Sequence, residues 1–302
     1  MQTTKKISPG TLPFFNYLFR IAIFALAVAL PYASPGGGVV STPSQSALTS
    51  ALTGGGTVTF AFNGTITLTS AENISANTVM DGSGYNVIIS GGNSSQIFKV
   101  GTGVNLTLNN LTIANGFTKT NGGAIYNLGI LAATNCSFIS NQIVCSNGVS
   151  GGSSGQSGSA GASGYGGAIY NDGTTTLEQC QFISNSISGG NGGTGQPGSG
   201  GGGGNGGYGG GAYGGAIYSS NVITLFDCAL SNNQLIGGAG GAGGAAGNNG
   251  SGYYYAAGEG GGGGTSDGVG LFAAGNSTVM RSTFSYDNAH GGASSAPGIN
   301  GG

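Results

Sequence analysis

The side chains in this chain that could carry acid–base chemistry are few and scattered. One histidine, His290, lies in a Gly- and Ser-rich stretch near the end of the sequence, where we expect it to be solvated rather than a ligand. Enzymes that cleave polysaccharides need grouped carboxylates, or Asp-bound Ca²⁺ beside a basic residue. The acidic residues are Glu72, Asp81, Asp172, Glu178, Asp227, Glu259, Asp267 and Asp287. These positions predict no carboxylate cluster, so we expect no enzyme activity and assign no catalytic, cofactor-binding or metal-binding residue.

The four cysteines are the other residues with reactive side chains. Cys136, Cys180 and Cys228 share one position of a repeat, whereas Cys145 does not. If the repeats stack, neighbouring Cα atoms come within disulfide range, and an oxidising compartment would allow the bond. Buried thiols serve equally well as small apolar side chains. We favour a reduced, buried column, and the redox state stays open; no Cys-x-x-Cys spacing points to zinc.

These side chains are positioned by a repeat that has two paired segments. The first segment, Gly-Gly-Ala-Ile-Tyr, starts at Gly122, Gly166 and Gly214, and a divergent copy starts at Gly268. The second begins 14 residues after the first glycine of each clear copy and reads Cys-x-Phe/Leu-x-x-Asn. The repeat singles out as structural residues Gly122, Gly123, Ile125, Phe138, Asn141, Gly166, Gly167, Ile169, Phe182, Asn185, Gly214, Gly215, Ile217, Leu230 and Asn233.

Strand-like patterns precede and surround the repeat and indicate an all-β solenoid. Apolar and polar residues alternate with period two, for example over 65–69 and 105–108, as is typical of half-buried strands. Ile113 and Phe138 are equivalent at a spacing of 25 residues, enough for a coil of about three short strands. In the predicted parallel β-helix, the Phe and Leu side chains form an internal column and the Asn side chains form an amide ladder. The glycines lie at turns or at close main-chain contacts. No helix is expected after residue 33.

Long Gly-rich inserts separate the repeats and leave the coil on one side only. They span about 142–164, 187–212 and 235–267. Their regular placement indicates loops at one corner of a solenoid. We favour flexible, low-complexity loops. The alternative is that Gly-Gly-x arrays such as 237–244 form extended polyglycine bundles. Residues 290–302 are expected to be a Gly-rich tail.

Composition excludes one class of function and indicates export. Charged residues make up 5% of the chain and the formal net charge is −2, so no basic surface for nucleic acid is expected. At the N-terminus, basic residues precede the apolar run 21–30 and an Ala-x-Ala cleavage site at 27–29. We predict a signal peptide over 1–33 rather than a membrane anchor, because Pro13 and Arg20 interrupt the apolar stretch.

The pairing of Gly-Gly-Ala-Ile with Phe-x-x-Asn resembles the repeats of the chlamydial-type polymorphic outer membrane proteins, a family of bacterial surface proteins. The likeness covers about 98–289, with full copies at 122–141 and 166–185, Leu230 in place of Phe in the third copy, and a degenerate fourth copy. The resemblance implies a right-handed parallel β-helix, surface display and adhesion to cells or surfaces. The family usually carries a C-terminal autotransporter barrel; we find no such pattern before residue 302 and expect membrane attachment only through an absent or separate anchor.

These features together predict four regions and one class of function. The regions are a signal peptide (1–33), N-terminal β-helix coils (34–116), repeat coils with inserts (117–289) and a tail (290–302). We expect a non-enzymatic adhesin or surface-interaction module, outside the cell or at the outer-membrane surface, with a cell-surface, matrix or glycan ligand and no cofactor. Two alternatives stay open. One is a polysaccharide-processing lyase or glycoside hydrolase. The other is a structural or ice-interacting solenoid, suggested by the row Thr65, Thr67 and Thr69.

Overall fold

A computed structural model describes residues 36–248 and 255–300, and these residues form a parallel β-helix. The predicted signal peptide lies outside the described residues. Successive coils are stacked so that each strand pairs in parallel with the equivalent strand of the next coil. The predicted fold class is therefore confirmed.

The strands are grouped here by coil. The chain enters through β1 (Gly37–Val40) and a short helix, α1 (Gln45–Leu52). Coil 1 contains β2 (Gly56–Phe60), β3 (Gly64–Thr67) and β4 (Glu72–Ile74). Coil 2 contains β5 (Thr78–Asp81), β6 (Val87–Ser90) and β7 (Phe98–Val100). Coil 3 contains β8 (Asn105–Asn109), β9 (Thr112–Ala114), β10 (Phe117–Thr118) and β11 (Ile125–Asn127).

The later coils carry additional strands beside each insert. Coil 4 contains β12 (Ile130–Thr134), β13 (Ser137–Ile139), β14 (Gln142–Val144), β15 (Gly164–Tyr165) and β16 (Ile169–Asn171). Coil 5 contains β17 (Thr174–Glu178), β18 (Gln181–Ile183), β19 (Ser186–Ser188), β20 (Ala212–Tyr213) and β21 (Ile217–Ser219). Coil 6 contains β22 (Val222–Phe226), β23 (Ala229–Ser231), β24 (Gln234–Ile236), β25 (Ser266–Asp267) and β26 (Leu271–Ala273). Coil 7 contains β27 (Ser277–Met280), β28 (Thr283–Ser285) and β29 (Asn288–His290).

Five sheets run along the axis of the described coils. Sheet 1 has the order β1-β2-β5-β8-β12-β17-β22-β27, and sheet 2 has β3-β6-β9-β13-β18-β23-β28. Sheet 3 has β4-β7-β11-β16-β21-β26. Sheet 4 (β10-β14-β19-β24-β29) and sheet 5 (β15-β20-β25) lie on either side of the inserts along the chain. The predicted three strands per coil thus hold for coils 1 and 2, and the insert-bearing coils 4 to 6 have five.

The core is built from columns of equivalent side chains that point between sheets 1, 2 and 3. The predicted column is present: Phe138, Phe182 and Leu230 are paired in register and fully buried, and the two phenyl rings stack at 4.6 Å. Each buried member contributes about 1.5–3 kcal/mol. Phe284 continues the column in coil 7, but its side chain is 46% exposed because no described coil covers it.

An amide ladder lies at the corner after sheet 2. The side-chain oxygen of Asn185 accepts bonds from both the main-chain and the side-chain nitrogen of Asn141, at 3.1 and 3.0 Å. Asn185 donates in the same way to Asn233, at 3.0 Å for both bonds, and Asn233 donates to Asp287. The three Asn side chains are buried. They satisfy main-chain groups at a turn where the residue before each Asn has a positive φ.

The expectation that no helix follows residue 33 is wrong. Helix α1 begins after Ser44, whose hydroxyl accepts a bond from the amide of Ala47, and it buries Leu48 and Ala51 against the first coil. A stack of coils leaves an open apolar end, and this helix covers it at the N-terminal side. Two turns of helix contain too few residues for a helical period to stand out in the sequence.

The amide ladder leads to a stability prediction. Replacing Asn185 with Ala leaves the amide of Asn141 without its partner and removes the bond that the Asn185 side chain donates to the carbonyl of Phe138. An unsatisfied buried polar group costs about 1–3 kcal/mol, so we expect Asn185→Ala to lower the free energy of unfolding by about 3 kcal/mol. Urea denaturation measures the loss. The control Gln181→Ala, at an exposed position of the same coil, should change the free energy of unfolding by less than about 0.5 kcal/mol. Equal stability of both variants would contradict the prediction.

Candidate functional site

The described parts of the Gly-rich inserts are ordered, so the favoured interpretation of these parts as flexible loops is wrong. Each insert runs out from sheet 4 and returns to sheet 5. The outgoing layer contains 146–152, 189–198, 237–247 and, from the predicted tail, 291–299. The returning layer contains 157–163, 203–211 and 256–265. We call these seven described segments the polyglycine bundle. The sequence boundaries also shift, because residues at both ends of each predicted insert belong to strands of sheets 4 and 5.

Main-chain hydrogen bonds cross the polyglycine bundle in continuous rows. One row connects all seven segments, each amide donating to the carbonyl before it; it runs from Val149 through Ser159, Gly193, Gly207, Gly241 and Gly261 to Ser295. Its bonds are 2.8 to 3.0 Å long. A parallel row through Gly190 and Gly210 lies three residues away along each segment. This period of three matches the three-residue turn of a polyproline II helix.

A second set of bonds joins segments within each layer. The amide of Gly148 donates to the carbonyl of Asn191 at 2.7 Å, and the amide of Gly192 donates to Ala239 at 2.8 Å. Side chains accept bonds from several of the outward-facing amides, as when Asn191 accepts from the amide of Ala239 at 2.9 Å. The segments therefore satisfy their main-chain groups from three directions, which explains why they are ordered.

Glycine is required in the bundle interior because the segments approach each other through their main chains. A Cβ atom on Gly207 would overlap the carbonyl oxygen of Ser159, and one on Gly193 would overlap that of Val149. The third residue of each triplet faces solvent and is free to vary, as Thr194 and Tyr208 do. The Gly-Gly-x pattern thus specifies a two-layer packing, in support of the alternative that was left open for these inserts.

The bundle is attached to the β-helix by its own small core. Ile143, Ile187 and Leu235 from sheet 4 pack with Ala212 of sheet 5 and with Cys145, and all five side chains are buried. Burial raises the pKa of the Cys145 thiol to about 11. This core fixes the point from which the inserts depart.

Within the repeat, the two glycines have different roles. Gly122, Gly166 and Gly214 have φ between 64° and 73°, a conformation that favours glycine. The glycine after each of them has no space for a side chain, since a Cβ on Gly167 would overlap the carbonyl of Gly215. Ile125, Ile169 and Ile217 follow, paired in register and fully buried.

Tyrosines form a ladder on the outside of sheets 3 and 5. Parallel rings stack at 5.0 to 5.3 Å in two columns, which are Tyr126–Tyr170–Tyr218–Phe272 and Tyr165–Tyr213. Tyr165 also contacts Tyr218 edge-on at 5.0 Å, so the columns touch. Burial raises the pKa of Tyr165 and of Tyr170. The first column follows from the repeat, whereas Tyr165 and Tyr213 stand before it and were missed.

The acidic residues do not come together in the described part of the chain. Glu178 lies opposite Phe226, not opposite another carboxylate, in the register of sheet 1. Asp227 pairs with Arg281 through two bonds of 2.7 Å on the surface. No three His, Cys, Asp or Glu side chains in the described residues lie close enough to hold a metal ion. His290 is exposed, but it ends strand β29 instead of opening a tail.

The repeat cysteines form the predicted internal column. Cys136, Cys180 and Cys228 are buried free thiols, and each sulfur donates to a main-chain carbonyl of the preceding coil at 3.4 to 3.5 Å. Hydrogen bonds to the neighbouring thiols and burial together raise the pKa of Cys180 well above the usual value. Buried thiols of this kind pack as small apolar groups.

A groove on the outside of sheet 2 was not foreseen from the sequence. It is an open cavity of about 650 Å³ beside the corner 82–86 of coil 2. Tyr85 stands at the corner, 41% exposed, and Asn110 and Asn135 line the cavity from the corners of coils 3 and 4.

Comparison with known proteins adds no family: neither a protein-family model nor a curated protein matches this chain. Within the described residues, no helix has the length and apolar character needed to cross a membrane.

The packing of the bundle generates a prediction about Gly207→Ala. The added methyl group must push the neighbouring segment away, which costs about 1–3 kcal/mol and should speed amide exchange in the bundle by roughly 5- to 150-fold. Hydrogen exchange with mass spectrometry measures this, and peptides from sheets 1 to 3 should keep their protection. The adjacent control Tyr208→Ala removes a side chain that is 69% exposed and should change nothing. Unchanged exchange in Gly207→Ala would refute the interior packing.

Proposed function

We propose that this protein is a secreted or surface-displayed β-helix that contacts other surfaces without catalysis, as an adhesin or surface-interaction module. The observation that supports this most is the polyglycine bundle, which turns three Gly-rich inserts and a C-terminal segment into one ordered body.

The bundle suits contact with an extended surface. Many of its outward residues are short, as at Asn191, Thr194, Ala239 and Ala242, whereas Val149 and Tyr208 are large and exposed. A partner that docks on such a face orders few flexible side chains, which lowers the entropic cost of binding. Glu259 is the only charged residue in the sequence of the seven segments. Binding through this body should therefore depend on van der Waals contact and hydrogen bonds, with little dependence on salt.

Export and surface location are supported by the sequence. The predicted signal peptide over 1–33 directs the chain out of the cytoplasm. The resemblance to polymorphic outer membrane protein repeats adds the outer-membrane surface or the extracellular space as the place of action, and adhesion as the role. A cell-surface, matrix or glycan ligand is the corresponding partner.

An adhesion assay tests this proposal. The purified full chain, fluorescently labelled, is incubated with bacterial cells, animal cells and immobilised matrix proteins at 0.1 and 1 M salt. We expect the labelled chain to be retained on at least one surface, and the retained amount to change less than about twofold between the two salt concentrations. Gly207→Ala should be retained at least about tenfold less, because its bundle is loosened. Gln181→Ala, on sheet 2, serves as the control. Absence of retention on every surface, or full retention by Gly207→Ala, would count against adhesion through the bundle.

A second candidate function is interaction with ice, which the alternative of an ice-interacting solenoid left open. The Thr row does not favour it, because Thr69 lies beyond β3 and bonds to Gln45. The outgoing layer of the bundle favours it more, since Ala239, Ala242, Ala293 and other short residues repeat at regular intervals on a rigid face. A regular face of short side chains is suited to holding water in an ordered layer.

Ice recrystallisation and thermal hysteresis measure this second function directly. If the face binds ice, Ala242→Tyr should abolish both effects by placing a bulky ring on the layer, while Tyr208→Ala, in the returning layer, should preserve them. A wild-type chain that leaves ice growth unchanged at millimolar concentration excludes this candidate.

A further inference from the structure

The groove on sheet 2 arises where one coil has a longer corner than its neighbours. Between sheets 1 and 2, the corner of coil 2 has five residues, 82–86, whereas the corners of coils 3 and 4 have two each. The extra residues rise beside the outer face of sheet 2, and the cavity lies between them and the shorter corners. No residue of the polyglycine bundle lines it.

Hydrogen bonds hold the corner in shape. The side-chain oxygen of Asp81 accepts bonds from the amide and the hydroxyl of Ser83, at 2.9 and 2.7 Å. The amide of Asn86 donates to the side chain of Asn63 at 2.7 Å, which connects the far end of the corner to coil 1. The corner is therefore a preformed wall, and a ligand would not have to order it.

The amides along the groove are oriented by one another. Asn135 donates from its side-chain nitrogen to the side-chain oxygen of Asn110 at 2.8 Å. Asn110 in turn donates to the Ser83 hydroxyl at 2.8 Å and to Asp81 at 3.2 Å. Both Asn residues sit at positive φ, 56° and 51°, which fixes their main chain at the corner. Hydrogen bonds from Ser83 and Asn110 outweigh partial burial and lower the pKa of Asp81, so this anchor stays ionised at neutral pH.

The chemistry of the lining selects the class of ligand. The cavity presents side-chain amides, the hydroxyls of Ser83, Thr112 and Ser137, and the ring of Tyr85, and it contains no Lys, Arg, Asp or Glu. An anionic ligand would be expected to meet Arg or Lys, and an apolar ligand would need mainly apolar walls. Uncharged donors and acceptors beside one aromatic ring match a molecule with many hydroxyls and apolar C–H faces.

We propose that this groove binds a neutral saccharide. Its volume of about 650 Å³ fits a short oligosaccharide rather than a single small solute. Tyr85 would pack against one face of a sugar ring, while Asn110, Asn135 and Ser83 exchange hydrogen bonds with its hydroxyls. The groove is separate from the bundle, so this assignment stands independently of the proposed adhesive function.

The test begins with the purified full chain on an array of neutral oligosaccharides of glucose, mannose, galactose and N-acetylglucosamine, with uronate oligomers alongside. The tightest neutral ligand is then titrated by calorimetry against variants. We expect Tyr85→Ala and Asn135→Gly each to weaken binding about tenfold, since each removes one favourable contact. Glycine at 135 tolerates the positive φ of that corner, so the fold is preserved.

Matched controls separate the groove from general effects. Tyr208→Ala removes an exposed tyrosine of the bundle, and Asn232→Gly replaces an Asn at another corner with a positive φ, 56° compared with 51° for Asn135. Both should bind the saccharide like the wild type, and so should Gly207→Ala even if it loses adhesion. The proposal is overturned if no neutral saccharide binds, if only uronates bind, or if neither groove variant weakens binding.

Discussion

Main-chain hydrogen bonding between successive coils is the constraint on which the rest of this structure depends. Each strand must lie about 4.8 Å from its equivalent in the next coil, so every side chain meets its counterpart at nearly that spacing. Phe138 and Phe182 stack at 4.6 Å, and Tyr126 and Tyr170 at 5.0 Å. Identical residues are then the simplest solution: rings stack, thiols line up, and Asn side chains donate to the next Asn. The sequence therefore repeats because equivalent positions in successive coils have the same neighbours at the same spacing.

The polyglycine bundle extends the same constraint beyond the strands. Each insert starts at sheet 4 and ends at sheet 5, where its neighbours are already held at the spacing of the coils. Segments leaving at that spacing are too close for side chains between them, so glycine is needed at the contact positions and a larger residue is tolerated only outside. Gly193 and Gly207 illustrate the interior, and Thr194 and Tyr208 the exterior. The β-helix therefore acts as the template that aligns the bundle, and the small core around Ile187 connects the two.

Much of the fold could be predicted because it repeats. The columns at Phe138 and Asn141, the glycine pair and the parallel pairing all follow from spacing alone. Features that occur once were missed: helix α1 is too short to show a period, and the groove depends on a single five-residue corner. The inserts were misjudged for another reason. Glycine-rich composition is typical of flexible linkers, and only the period of three, read together with the attachment of every insert at one spacing, distinguishes a hydrogen-bonded bundle from a loop.

The two candidate surfaces lie where the regular coil is interrupted, and this has a physical cause. A perfectly regular solenoid presents the same residue at each level, so its faces are ridged but have no concave place for a small ligand. A groove requires one coil to differ from its neighbours, as coil 2 does at Tyr85. The polyglycine bundle requires several coils to be interrupted at the same corner, as they are by the inserts. The regular coils supply rigidity and spacing, and recognition is left to the few residues that depart from the repeat.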